Sequence, residues 1–147
     1  MSKGKKSFMA VGCVLAVALV VVGCGLFRGR FDHGKFEIKG VSRSSSGYVA
    51  QVAERSDSDA MSSYVYFVLV ADHELSPVEL RSAYHSDQVI FAAASDCLSV
   101  RWSDPHNLTI SCPESSIDTN HINVQRRQAG DVTVNYVNIP NNPSMTR

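Results

Sequence analysis

Four groups of residues in this 147-residue chain combine types that could do chemistry. Cys97 and Cys112 lie fifteen positions apart, neither in a CxxC, so a zinc or dithiol redox motif has little support. As a pair they suit a disulfide in an oxidising compartment. Asp72-His73-Glu74 concentrates metal-ligand types, but neighbours on a strand point to opposite faces and do not converge on one ion, so a solvated turn is the expectation. Ser103-Asp104-Pro105-His106 places a hydroxyl, a carboxylate and an imidazole within one turn. Catalysis requires the base within about 3 Å of the nucleophile and a third group to orient it. Asp104 and Pro105 are already accounted for as turn formers. The sequon Asn107-Leu108-Thr109 is read as coincidence.

Other signatures are missing from the sequence. There is no Gly-x-Ser-x-Gly elbow, and no glycine cluster follows a strand and opens a helix to cradle phosphate or a dinucleotide. No catalytic residue, metal ligand or cofactor is assigned. The histidines at 33, 73, 85, 106 and 121 are scattered.

The elements that would position these residues read as mainly β-structure, a small antiparallel sheet or sandwich with one short helix. Strands are expected at Tyr48–Ala53, Ser63–Val70, Val89–Ala93, Cys97–Trp102, Leu108–Cys112 and Val132–Val137. The run Tyr64-Val-Tyr-Phe-Val-Leu-Val70 lacks clean alternation, so it should be central, with both faces at least partly covered. Phe67 and Trp102 are expected in the core, with Arg101 exposed. Ser76-Pro77-Val78-Glu79 has a serine cap, a proline at the first helical position and a glutamate three residues after the cap; this predicts a helix to about Tyr84. Glu54–Asp59 is a polar loop.

The hairpin around Ser103–Asn107 contains a conflict. Pairing its apolar faces sets Trp102 against Leu108, Val100 against Ile110 and Leu98 against Cys112. Cys97 then points away from Cys112, whereas a disulfide needs β-carbons about 3.8 Å apart. A one-residue slip would reverse a whole face, so the apolar register should hold through most of the hairpin. Either a bulge near Asp96–Leu98 joins the thiols or both remain free and buried.

The remaining chemistry is N-terminal. Lysines 3, 5 and 6 precede twenty uncharged residues, Phe8–Phe27, followed by Arg28 and Arg30. This reads as a signal peptide or anchor helix over residues 1–30. Val21-Val22-Gly23-Cys24 resembles the bacterial lipoprotein signal, which implies cleavage before Cys24 and lipidation of its thiol. Gly25 after Cys24 leans toward the outer membrane in a Gram-negative host. The alternative is an uncleaved helix, since about twenty apolar residues span the hydrocarbon core. Residues 31–46 read as a tether with room for a short strand at Phe36–Ile38, 47–139 as a β-rich extracytoplasmic domain and 140–147 as a flexible tail. Residues 1–30 hold five of the 14 basic residues and none of the 14 acidic ones, so the rest carries a net charge of −5. That balance argues against a nucleic-acid partner.

Gly47-Tyr48-Val-Ala50, the aromatic strand, Leu98-x-Val-x-Trp102 and Leu108-x-Ile110 follow in an order that resembles small bacterial envelope proteins with an N-terminal anchor and a β-rich domain of unknown function. The Trp-Ser hairpin also looks like part of a β-propeller blade, but one copy cannot make a propeller. The resemblance supports location and fold and carries over no activity; together with the lipoprotein-like signal, the paired cysteines, the acidic balance and the missing catalytic motifs, the expectation is an envelope lipoprotein, on the outer membrane or the periplasmic side of the inner membrane, with a non-enzymatic binding or structural role toward an envelope protein or the cell wall. Alternatives are a small envelope hydrolase using the Asp96–His106 region, an inhibitor or immunity-type protein, and a single-pass membrane protein.

Overall fold

The structure, a computed structural model, describes residues 32–57, 63–113 and 117–142. The expected anchor over 1–30, Cys24 included, lies outside these residues. Among them no helix is long and apolar enough to cross a membrane.

Among the described residues nine strands and one α-helix follow in chain order. They are β1 (Lys35–Arg43), β2 (Val49–Ser56), β3 (Tyr64–Ala71), α1 (Pro77–Tyr84), β4 (Val89–Ala93), β5 (Ser99–Asp104), β6 (Asn107–Ser111), β7 (Ile122–Gln125), β8 (Gln128–Ala129) and β9 (Val132–Val137). A 3-10 turn at Thr119–His121 precedes β7. The first sheet runs β1-β2-β3-β4-β7 and the second β5-β6-β9-β8. All pairings are antiparallel except β6 with β9, which is parallel.

The sheets bury a common core. Ala50, Val52, Val68 and Phe91 of the first meet Leu108, Ile110, Val132 and Val134 of the second. The opposite face of the first sheet is covered by α1: Ala53, Phe67, Leu69 and Ala92 pack with Leu75, Leu80 and Ala83. The centre of the first sheet is therefore enclosed on both sides. This is why β3 shows no polar alternation and why all five residues of β4 are buried. A bulge where β4 pairs β3 leaves Ile90 unopposed, and Ile90 joins Phe91 in the inter-sheet core.

The helix starts as its sequence predicts. Ser76 accepts from the N–H of Glu79, the Glu79 carboxylate accepts from the Ser76 N–H at 2.8 Å, and Pro77 opens the first turn. Phe67 is fully buried, whereas Trp102 is half-buried and donates its indole N–H to Ser42 O at 3.1 Å. Arg101 is exposed.

Three expectations are corrected. Residues 35–43 are not part of a tether: they form β1, nine residues paired along β2 from Lys35↔Ser56 to Arg43↔Val49. Folded structure begins still earlier, since Gly34 is buried and its carbonyl accepts from Arg81. Strand β2 continues to Ser56, so the polar loop starts later than expected, and 58–62 lie outside the described residues. The tail is tied down as far as it is described. Buried Gln125 donates to Pro140 O at 3.1 Å and accepts from the N–H of Asn142 at 2.7 Å. Asn142 in turn donates to Thr119 O at 3.3 Å, so this segment covers the outer edge of β7.

The hairpin conflict is resolved without a register slip. Trp102 pairs with Leu108 and Val100 with Ile110, as the apolar faces require. Cys97 and Cys112 are nevertheless joined in a disulfide, with Cα atoms 5.1 Å apart. The ladder ends at Ser99↔Ser111, so Cys97 and Leu98 lie outside the strand and strand alternation no longer fixes where they point. Cys97, Leu98 and Cys112 all pack in or against the inter-sheet core.

Candidate functional site

Strand register defines two ends of the sandwich. One carries Lys35, Ser56, Tyr64 and Ala93; the other carries Arg43, Val49, Ala71 and the β5–β6 turn. At the second end a groove of about 440 Å³ opens between the last residues of β3, the start of β4 and the β8–β9 turn. Tyr48, Val70, His73, Asp72, Asp87 and Asp131 line it. A smaller groove of about 250 Å³ shares His73, Leu75 and Gln88 and extends to Glu79 and Ser82 of α1.

Local structure places each polar group. Gly47 and Gly130 adopt φ of +96° and +62°, a region that suits glycine, and the turns they make present Tyr48 and Asp131 to each other. The Tyr48 hydroxyl donates to Asp131 Oδ1 at 2.5 Å, and Asp131 Oδ2 lies 3.3 Å from His106 Nδ1. That hydroxyl holds the Asp131 carboxyl below its ordinary range, and the carboxylate raises the Tyr48 phenol. Tyr48 stacks on Trp102, and the edge of His106 meets Tyr48. Ser44 and Ser46 both donate to Pro105 O, which fastens the β5–β6 turn to the β1–β2 turn.

His73 lies between two carboxylates. Its Nδ1 is 2.6 Å from Asp72 Oδ1 and its Nε2 is 3.5 Å from Glu79 Oε1. Asp72 first, then Glu79, raises the imidazole above its usual range. The Asp72-His73-Glu74 run is thus split: Glu74 turns to Arg43, and the second acid on His73 comes from α1. Glu79 had a sequence signal as a cap, but none as a histidine partner. Among the described residues no group of three or more ligand-type side chains could hold a metal ion.

Nor does the Ser103–His106 turn assemble a nucleophile and base. The Asp104 carboxylate accepts from the His106 N–H at 2.9 Å and from Asn107 Nδ2 at 2.7 Å, while Ser103 donates to Asn107 O at 3.3 Å. The imidazole faces Asp131 instead, across to the β8–β9 turn. Of Arg126-Arg127, the first pairs with Asp87 at the groove rim and the second donates to Asn141. Sequence reasoning missed Asp131 and Tyr48 as partners because 83 positions separate them.

No protein-family model, curated protein or solved structure matches this chain.

Proposed function

We propose that this chain is a membrane-attached, extracytoplasmic envelope protein with a non-enzymatic binding or structural role, and that the groove between Tyr48, His73 and Asp131 is its partner surface. In this reading residues 1–30 deliver and hold the chain, through a lipid on Cys24 or through an uncleaved helix. The resemblance to small envelope lipoproteins supports it, as does the Cys97–Cys112 bond, which belongs with an oxidising compartment.

The groove carries the reading. Its recess is backed by apolar surface at Val70 and Ala71 and rimmed by Asp72, Asp87 and Asp131. Its polar groups are engaged with one another rather than arranged around a nucleophile. Such a surface fits a cationic segment of an envelope protein or a basic cell-wall group better than it fits a reaction centre.

Crosslinking of intact cells followed by membrane pull-down tests this. The full-length chain should enrich a partner over a residues 1–31 control, and Asp131→Lys should lose it. Failure of the full-length chain to enrich any partner above that control would overturn the binding role. Cell fractionation that recovers the full-length chain in the cytosol would overturn the placement.

A further inference from the structure

We infer that His73 and His106 set the grip of the groove by pH: with both imidazoles neutral it holds its cationic partner, and with both protonated it lets that partner go. The inference rests on the partner surface proposed above and adds its regulation.

The first observation is where the two rings sit. Asp72 rims the groove just after β3, and Asp131 rims it from the β8–β9 turn. Each of these carboxylates carries an imidazole. His73 Nδ1 lies 2.6 Å from Asp72 Oδ1, and His106 Nδ1 lies 3.3 Å from Asp131 Oδ2. Both side chains are open to water, 59% and 51% exposed, so protons reach them without any rearrangement. A neutral ring so placed leaves the negative charge of its carboxylate intact. A protonated ring sets a full positive charge against the same oxygens that a bound cation would use.

The second observation is what the other charges at this end do. Glu79 of α1 faces His73 Nε2 at 3.5 Å, and Glu74, next along the chain, is taken by Arg43 of β1. Asp87, the third acid of the rim, pairs with Arg126 at 3.0 Å. Asp104 faces His106 from within its own turn, where it accepts from the His106 N–H and from Asn107. The Tyr48 hydroxyl also donates to Asp131, but it brings no charge. Among the described residues no lysine or arginine pairs with Asp72 or Asp131. Their cationic neighbours are therefore the two histidines, and only when protonated.

Protons and partner thus compete for the same two acids from opposite sides of the groove. Asp72 and then Glu79 raise His73 above its ordinary value, which places its change of charge in the neutral range rather than in strong acid. Linkage makes the competition reciprocal: if protonation weakens binding, binding must expel protons. In the extracytoplasmic placement proposed above, the groove meets the pH of the surroundings, and the partner is held or shed as that pH changes.

Titration calorimetry of the full-length chain in nonionic detergent tests this. The probe is tetralysine, acetylated at its N-terminus and amidated at its C-terminus so that it does not itself titrate in the range used. The parent chain should bind it about tenfold more weakly, or worse, at about pH 5.5 than at about pH 7.5. Near pH 6.5, heats in buffers of different ionisation enthalpy should show protons released on binding. A His73→Gln, His106→Gln double variant should keep the affinity seen at the higher pH to within about threefold throughout, since no other unperturbed side chain titrates in that window. A parent chain that binds equally well at both pH values, or a double variant that keeps the parent's pH dependence, overturns the histidine control and leaves the partner surface standing. No binding at either pH, or binding that survives Asp131→Lys, overturns both.

Discussion

The side-chain amide of Gln51 grips both backbone groups of Leu75. Its Nε2 donates to Leu75 O at 3.1 Å, and its Oε1 accepts from the Leu75 N–H at 2.7 Å. Gln51, the third residue of β2, is completely buried, and this contact fixes the segment that leads into α1. Gln125 does the same for the C-terminal segment, with Pro140 and Asn142 as its partners. Each amide satisfies an irregular backbone that no strand pairs, which is what burial demands of polar groups.

Gln51→Leu should therefore be costly despite its good size match. It orphans one N–H and one C=O, at about 1–3 kcal/mol each. Urea unfolding should show a lower midpoint with an unchanged slope. A loss well under about 1 kcal/mol would mean that water reaches Leu75.

The disulfide closes a loop with a sequence separation of 15. Its removal in a Cys97→Ser, Cys112→Ser double variant should cost about 3 kcal/mol by the chain-entropy account. Peptide mapping of the unfolded, unreduced chain should find neither residue alkylated, and two labelled thiols at these positions would remove the bridge.

His73 should titrate above its ordinary 6.5, because Asp72 and then Glu79 favour the charged ring. A raised folded-state value means that the stability it contributes is fully present below pH 6.5 and is lost as the pH rises through that higher value. Asp72→Asn should bring the NMR titration midpoint of His73 down. An unchanged midpoint would show that the Asp72 contact is not made in solution.

The capping box predicts a second pH effect of opposite sign. Glu79 is held below its ordinary 4.5, first by the Ser76 hydroxyl and then by the Ser76 N–H. The stability it contributes is present above pH 4.5 and disappears as the pH falls through the lowered value. Ser76→Ala should cost about 1 kcal/mol at neutral pH. Glu79→Gln should flatten the acid limb of stability against pH. Calorimetry across that range checks both.

Short-range signals made much of the fold legible in the sequence. The cap at Ser76–Glu79 is contained within four residues and appears as written. The apolar run of β3 reported burial on both faces because no polar face was needed. The Trp102–Leu108 register followed from alternation across a short turn. Beyond the short strand at Phe36–Ile38, β1 was hidden for the opposite reason. It is an edge strand on which only Phe36 is buried; Lys39 sits at its bulge and Gly40 follows, so backbone pairing with β2 holds it rather than an apolar pattern. β7 and β8, of four and two residues, are too short to carry a period.

Sequence by itself determined the charge balance, the apolar run near the N-terminus, the helix start, the central strands and the facing of the hairpin, because each is set by residues close along the chain. Only the tertiary structure decided which distant segments meet: the parallel β6–β9 pairing, the bond between Cys97 and Cys112, and the turns that join Tyr48, His106 and Asp131 in one cluster. Those contacts depend on how two sheets close over one core, and no local pattern of side chains encodes which remote partner that closure delivers.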